Sequence, residues 1–281
     1  MKLENLKYYY INLKDSVDRK KNMEQICSKL NVNYERFDAI KITDEKPFLE
    51  TQTIGKVSIW NSNAGSRVGA FGCFLSHFTL IEKHRNDDEP FVILEDDISP
   101  ESLNNDWLSE FSKKINKLLS LTNNNVTLVR PITHGSKIQN CASHSISDKE
   151  HHYYTSKGFE YNADFFSDKI YDKQFLKCPI QFKNKKLVSN LKSPFKKSCS
   201  SCPEPTIKVP GLATPFCYIH NPKKIYNSLL NFVHNTKQKY TFNFITLDRV
   251  YTGFLQNSYI VNSQEIRRLD IQSDIKRQNN I

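Results

Sequence analysis

Glu95, Asp96 and Asp97 stand in a row, directly after the apolar run Phe91-Val92-Ile93-Leu94 and just before Ile98-Ser99-Pro100. Adjacent carboxylates repel one another. A fold that gathers them needs a compensating cation, either a hard metal bound through oxygen or a nearby Lys or Arg. A divalent metal is the sharper expectation; a polar strand exit with solvated acids is the plain one. Three further places carry side chains that could do chemistry. Arg19 falls on the first turn of an expected helix, where it can meet an anion at the helix amino terminus or simply be a solvated surface charge. Ser76 and His77 interrupt an otherwise apolar helical run, although a lone His in such a helix is ordinarily a core residue satisfied by one hydrogen bond. Cys199-Ser200-Ser201-Cys202 has the spacing of a metal clip, but Cys178 and Cys217 lie at irregular distances from it, so it reads as free thiols in a loop.

The elements that must position these groups follow from local pattern. Phe91 to Leu94 have high strand propensity and no polar alternation, and Ser-Pro cannot extend a strand. This predicts a buried strand, covered on both faces as in a mostly parallel sheet, that ends in acid where such sheets place their ligands. Residues 6–13 form the first strand, followed by a helix that Asp15 or Ser16 can cap and that runs to about Leu30. Residues 34–40 supply a second strand, and residues 41–67 read as a loop-dominated connection. The run from Gly69 to His84 is a mostly buried helix in which Gly69 and Gly72 permit close approach of backbone or ligand. A helix capped by Asn105 or Asp106 carries Trp107, Leu108, Phe111, Ile115, Leu118 and Leu119 on one stripe, and residues 126–129 form another strand. Residues 131–208 are polar, aromatic and basic without sustained period, an excursion of loops and short strands of the kind that carries substrate-binding surface. Order resumes with a strand over 211–219, a helix from Pro222 to about Val233, a last helix over 249–255 and a closing strand over 259–261.

Composition narrows the class. With 281 residues and 38% hydrophobic content the chain can bury a substantial core, and one domain over residues 1–281 is expected. No apolar run approaches the ~20 residues of a membrane span, and the first residues lead into a strand rather than a signal core. The expected location is therefore cytoplasmic, with no membrane span, and the net charge of +10 leaves peripheral membrane contact open. The same charge favours anionic partners, including phosphorylated small molecules. Seven scattered cysteines suit a reducing compartment. Nucleic-acid binding ranks last, because no helix-turn-helix, zinc-finger spacing or ribonucleoprotein motif accompanies the charge and an acidic cluster repels phosphate.

Three stretches together resemble glycosyltransferase family 25, the group of lipooligosaccharide and procollagen galactosyltransferases. They are Tyr10-Ile11-Asn12-Leu13 with Arg19, Gly72-Cys73-Phe74-Leu75-Ser76-His77, and Ile93-Leu94-Glu95-Asp96-Asp97, in the family's order and spacing. Residues 211–230 look like the family's later strand and helix, Asp248 stands where it has an acidic residue, and Ser273-Asp274-Ile275 resembles its closing segment. Two departures stand out. Gly69-Ala70 replaces the family's Gly-Glu, and His220 replaces a small polar residue after the later strand, adding either a metal ligand or a hydrogen-bonded core His.

The resemblance implies an α/β fold of the GT-A type, a nucleotide-sugar-binding sandwich with a mixed, mostly parallel sheet between helices, here with a long irregular insertion over 131–208 as the acceptor region. It implies a hexosyltransferase that moves galactose or glucose from a UDP-sugar donor to a hydroxyl of a glycan or a hydroxylysine-type protein acceptor, with inversion. The alternative is a catalytically inactive nucleotide-sugar or glycan-binding module of the same fold. The cofactor implied is a divalent metal, Mn2+ or else Mg2+, held by Glu95 and Asp97; His220, where the chain departs from the family, would add a third ligand. Asn12, Leu13, Arg19, Ser76, His77 and Asp96 would bind the donor, since their motifs meet at strand carboxyl ends if the sheet is parallel there. Asp248 would be the acceptor's base or a further metal ligand, against the plainer role of a helix cap.

Overall fold

The computed structural model describes residues 1–41, 48–51, 55–58, 68–133, 152–154, 160–162, 175–178, 215–239, 247, 251, 255 and 257–269. Eleven strands fall among them: β1 Lys7–Asn12, β2 Asn33–Asp38, β3 Phe48–Thr51, β4 Gly55–Ser58, β5 Phe91–Glu95, β6 Leu128–Thr133, β7 His152–Tyr154, β8 Glu160–Asn162, β9 Phe175–Cys178, β10 Phe216–Ile219 and β11 Ser258–Ile266. Four α-helices accompany them: α1 Val17–Lys29, α2 Val68–Lys83, α3 Asn105–Leu121 and α4 Pro222–Lys239. Seven strands form one sheet in the order β2-β1-β5-β10-β6-β11-β9, while β3-β4 and β7-β8 are separate two-stranded ladders. Strands β2, β1 and β5 pair in parallel, as do β6 and β11. Strand β10 runs antiparallel to both of its neighbours, and β9 antiparallel to β11. The sheet is mixed and mostly parallel in strand direction.

Period-two alternation decides what each face buries. Tyr8 and Tyr10, Val92 and Leu94, and Phe216 and Tyr218 turn to one side, where they pack with Met23, Ile26 and Cys27 of α1 and with Trp107, Phe111 and Ile115 of α3. Tyr9 and Ile11, Phe91 and Ile93, and Cys217 and Ile219 turn to the other, against Phe74, Leu75 and Phe78 of α2 and Ile225 and Leu229 of α4. Central strands therefore need apolar side chains at every position, which is why β5 reads as an unbroken apolar run. Fully burying each such side chain is worth about 1.5–3 kcal/mol, so the strand is held to its register up to Leu94. Only after Leu94 does polarity begin.

Several expected boundaries move. Residues 41–67, expected as loop, contain the hairpin β3-β4, whose strands of four residues are too short for a two-residue period to stand out. Within residues 131–208, β9 is an edge strand of the main sheet, paired from Ser258↔Cys178 to Val261↔Phe175. The cap of α3 is Asn104, whose Oδ1 accepts from the Trp107 amide at 2.9 Å, one residue ahead of the expected position. Ser16 occupies the N-cap of α1 without a side-chain cap bond. Strand β6 begins at Leu128, β11 extends well beyond 259–261, and α4 outruns Val233. Among the described residues no helix is long and apolar enough to cross a membrane.

Candidate active site

The carboxyl ends of β1 and β5 lie side by side, with Ile11 opposite Glu95. The chain then carries Asn12 and Asp96 just past the shared end of the ladder. Asn12 Nδ2 donates to Asp96 Oδ2 at 2.7 Å and to the Ser16 carbonyl at 3.1 Å, while Asn12 Oδ1 accepts from Arg36 Nε at 3.1 Å. Its amide group is fully used. Arg19, from the first turn of α1, donates through Nη1 to the other Asp96 oxygen at 3.0 Å. Asp96 is thus gripped on both oxygens by β1 and α1. Burial raises its carboxyl above the usual range, an effect that the bonds from Asn12 and Arg19 oppose. Leu13 supplies the turn into α1, its carbonyl accepting from the Ser16 amide at 3.0 Å.

The flanking acids of the triplet turn the other way, as alternation requires. Glu95 Oε2 accepts from Arg268 Nη2 at 3.1 Å, and Asp97 Oδ2 lies 3.3 Å from Arg268 Nη1. Arg268 reaches them because its segment runs antiparallel beside the exit of β5. Ser99 donates to the Arg267 carbonyl at 2.9 Å, Leu269 to the Asp97 carbonyl at 2.7 Å, and Ile98 and Arg268 form a bridge. The second Asp97 oxygen, Oδ1, is buried without a hydrogen-bond partner among the described residues. Burial pushes the Asp97 carboxyl up to about 6, with Glu95 and Asp96 adding to the rise and Arg268 and Arg19 opposing it. Among the described residues, the three carboxylates face the guanidinium groups of Arg19 and Arg268. The compensating cations are arginines. An acceptor oxygen is left over on Asp97, and that donor set of hard carboxylate oxygens suits a divalent cation.

Helix α2 forms the adjacent wall. Ser76 Oγ donates to the Gly72 carbonyl at 2.6 Å and accepts from the Ile40 amide at 2.8 Å, which pins the chain leaving β2 onto the helix. His77 Nδ1 meets Tyr251 Oη at 3.2 Å, and its Nε2 stands 3.6 Å from Glu95 Oε1, beyond hydrogen-bond reach. Cys73 Sγ donates to the same Glu95 oxygen at 3.5 Å. Tyr251 is itself buried beneath the Arg130 guanidinium, which lies 5.9 Å from its ring centre. Burial and neighbouring Cys217 and Cys73 raise its hydroxyl far above the ordinary range, so it is neutral.

Family membership is decided by sequence likeness laid over this geometry. The description "Glycosyltransferase family 25 (LPS biosynthesis protein)" matches residues 5–171, more than half of the chain and all three motifs. The chain belongs to glycosyltransferase family 25. Two relatives agree with it. A protein of Acanthamoeba polyphaga mimivirus, provisionally named a glycosyltransferase, is 35% identical over 103 residues, covering 34% of this chain and 30% of its own. The lipooligosaccharide biosynthesis protein lic2B of Haemophilus influenzae is 30% identical over 118 residues, covering 40% of this chain and 43% of its own. The chain thus spans less than half the length of either relative.

In this family-25 chain the motifs converge, though several of their side chains do not face outward. Asn12 is 1% exposed and Ser76 and His77 are 0% exposed, so all three stand behind the acids rather than in front of them. His220, expected as a metal ligand, lies at the wrong end of the sheet. Because β10 is antiparallel to β5, Phe216 pairs with Leu94 but Ile219 pairs with Phe91, and His220 follows Ile219. That leaves it roughly 13 Å or more from Glu95 along the strand. There its Nδ1 meets Tyr218 Oη at 2.8 Å, and burial, with Lys224 nearby, lowers its basicity. It is the hydrogen-bonded histidine of the plainer reading. Asp248 lies outside the described residues. Arg268, Arg130 and Tyr251 escape a reading of the sequence; a lone arginine in a charged tail carries no local signal.

Proposed function

We propose that this chain transfers a hexose, galactose or glucose, from a UDP-sugar to a hydroxyl of a glycan or of a hydroxylysine-type protein side chain, with inversion and with the help of a divalent cation, manganese or magnesium. The observation that carries this reading is the orphaned, buried Asp97 oxygen at the carboxyl end of β5, in a chain of family 25. The GT-A description of the fold belongs to the same proposal, supported by the mixed sheet between helices. The name of the Haemophilus relative favours a glycan acceptor.

In this mechanism Asp97 and Glu95 would hold the cation, Asp97 foremost. When bound, such an ion supplies Lewis-acid stabilisation of the charge that grows on a departing diphosphate. Arg268 then has a second use. Its side chain is 42% exposed, and once its carboxylates are engaged elsewhere the guanidinium can take diphosphate oxygens in its planar fork. Asp96, held by Asn12 and Arg19, fixes the turn between β5 and the following residues so that Asp97 stays aimed. Leu13 and the first turn of α1 form the nearby wall for the nucleotide, with Asn12, Ser76 and His77 setting its position from behind. Asp248 is proposed as the base that takes the acceptor's proton.

A second reading is a donor-binding module without turnover, favoured by one observation: Arg268 already pairs with both outer acids. A panel of nucleotide sugars, each with and without manganese, separates the two when donor hydrolysis and thermal stabilisation are scored together. Manganese-dependent hydrolysis of a UDP-hexose supports the transferase. Stabilisation by a donor with no hydrolysis or transfer, with or without metal, supports the module.

A further inference from the structure

Cys73, His77 and Glu95 offer one ligand atom each, and these atoms all lie within 4.8 Å of one another. Cys73 and His77 stand four residues apart on α2, hence on one face of the helix, and Glu95 closes the group from the end of β5. The spacing is that of metal ligands. With ordinary zinc bonds to sulfur, nitrogen and oxygen, the edges of a tetrahedral site measure about 3.4–3.6 Å. Two edges are already there, 3.5 Å from Cys73 Sγ to Glu95 Oε1 and 3.6 Å from His77 Nε2 to the same oxygen. An independent observation points the same way. His77 is wholly buried, and its Nε2 has no hydrogen-bond partner among the described residues although it is aimed into this group.

From this geometry we infer that Cys73, His77 and Glu95 bind a zinc-class transition metal, with a fourth position open to water; this site takes Glu95 through Oε1, whereas the cation proposed at Asp97 would take it through Oε2. The surroundings support each ligand. When His77 Nδ1–H donates to Tyr251 Oη, one of the two senses this 3.2 Å contact allows, the Nε2 lone pair turns inward to the site. Arg268 binds Glu95 through Oε2, while Oε1 faces Cys73 and His77. A thiolate with an imidazole selects zinc or cobalt over magnesium or manganese, which prefer oxygen throughout. The ion would clamp α2 to the end of β5 and set the angle at which Asp97 leaves the sheet. This inference does not depend on the transferase reading.

Cobalt reports on it directly. The full chain carrying Cys199→Ser and Cys202→Ser, which removes the other closely spaced thiols, is stripped with chelator and titrated with Co2+. One equivalent should produce a thiolate-to-cobalt charge-transfer band with tetrahedral visible absorption, and zinc should abolish both. Cys73→Ser should remove the charge-transfer band, and Tyr251→Phe should weaken cobalt binding about 10–100-fold. Manganese should not compete. A parent protein that shows no charge-transfer band overturns the inference whatever the variants do. So does a band that persists unchanged in a folded Cys73→Ser protein.

Discussion

Replacing Asp97 by Asn should make the metal-free protein more stable at neutral pH while removing its response to manganese. Burial raises the Asp97 carboxyl from 3.8 to about 6 in the fold, even with Arg268 beside it. A raised carboxyl means that the folded chain binds the proton more tightly than the unfolded one. Stability therefore falls as pH rises between about 4 and 6, and the whole penalty is present above that window. A rise of that size corresponds to about 3 kcal/mol. Asparagine keeps the shape without the charge, so the variant should gain up to about that amount at pH 7.5 and nearly nothing at pH 4. Urea denaturation in chelator across this range, for parent and variant, measures the difference. Manganese should then raise the parent's midpoint and leave the variant's unmoved. A variant no more stable than the parent at pH 7.5, or equally stabilised at pH 4, would refute the claim that Asp97 is held charged at an energetic cost that a cation relieves.

The same geometry sets other outcomes. Arg268→Gln should tighten manganese binding, since a competing cation is gone, yet lower donor turnover; isothermal titration beside a transfer assay checks both. Arg19→Ala should cost about 2 kcal/mol or more by leaving Asp96 with one charged-group partner fewer, and Asp96→Asn in the same chain should restore most of it in a double-mutant cycle. Ser76→Ala should cost about 1–3 kcal/mol through the unmet Ile40 amide, measured by urea denaturation. Asp248→Asn should abolish transfer with donor and manganese affinities intact; a fall in manganese affinity as well would make Asp248 a ligand, and unaltered turnover would leave it a helix cap.

Much of the frame was legible because it rests on short-range pattern. The apolar run of β5 and the tyrosines of β1 declare strands, the stripe from Trp107 to Leu119 declares α3, and the meeting of Asn12, Arg19 and the acids follows from two parallel strands with a helix after the first. What escaped the sequence is what depends on direction and on distance along the chain. His220 follows a strand as Asp97 does, and nothing local says that β10 runs the opposite way from β5; one reversed strand moves the imidazole to the far end of the sheet. Arg268 stands 173 residues from the Glu95 it holds, and its placement comes from backbone pairing between the exit of β5 and the chain after β11. Tyr251 is paired with His77 across 174 residues. Hydrogen-bond partners so far apart leave no trace in periodicity or spacing.

This difference also explains why the motif residues sit where they do. A group of three acids at a strand end is under mutual repulsion, and holding it in one geometry takes buried donors on every side. Asn12 and Arg19 spend their donors on Asp96, and Ser76 spends its hydroxyl on the backbone of α2 and of the chain after β2, while His77 stands beside Glu95 with its Nε2 unbonded among the described residues. The residue types that looked like ligand contacts are the ones an acid cluster needs as a frame. Of the described polar side chains around the triplet, Asp97 alone keeps a buried oxygen with nothing bonded to it, and Arg268 alone among the charged partners is substantially exposed. Chemistry at this end of the sheet has to use the groups whose bonding is incomplete or exchangeable. Asp97 with an oxygen in hand, Arg268 able to let go of it, and His77 with an unbonded Nε2 are therefore where substitution should separate binding from fold.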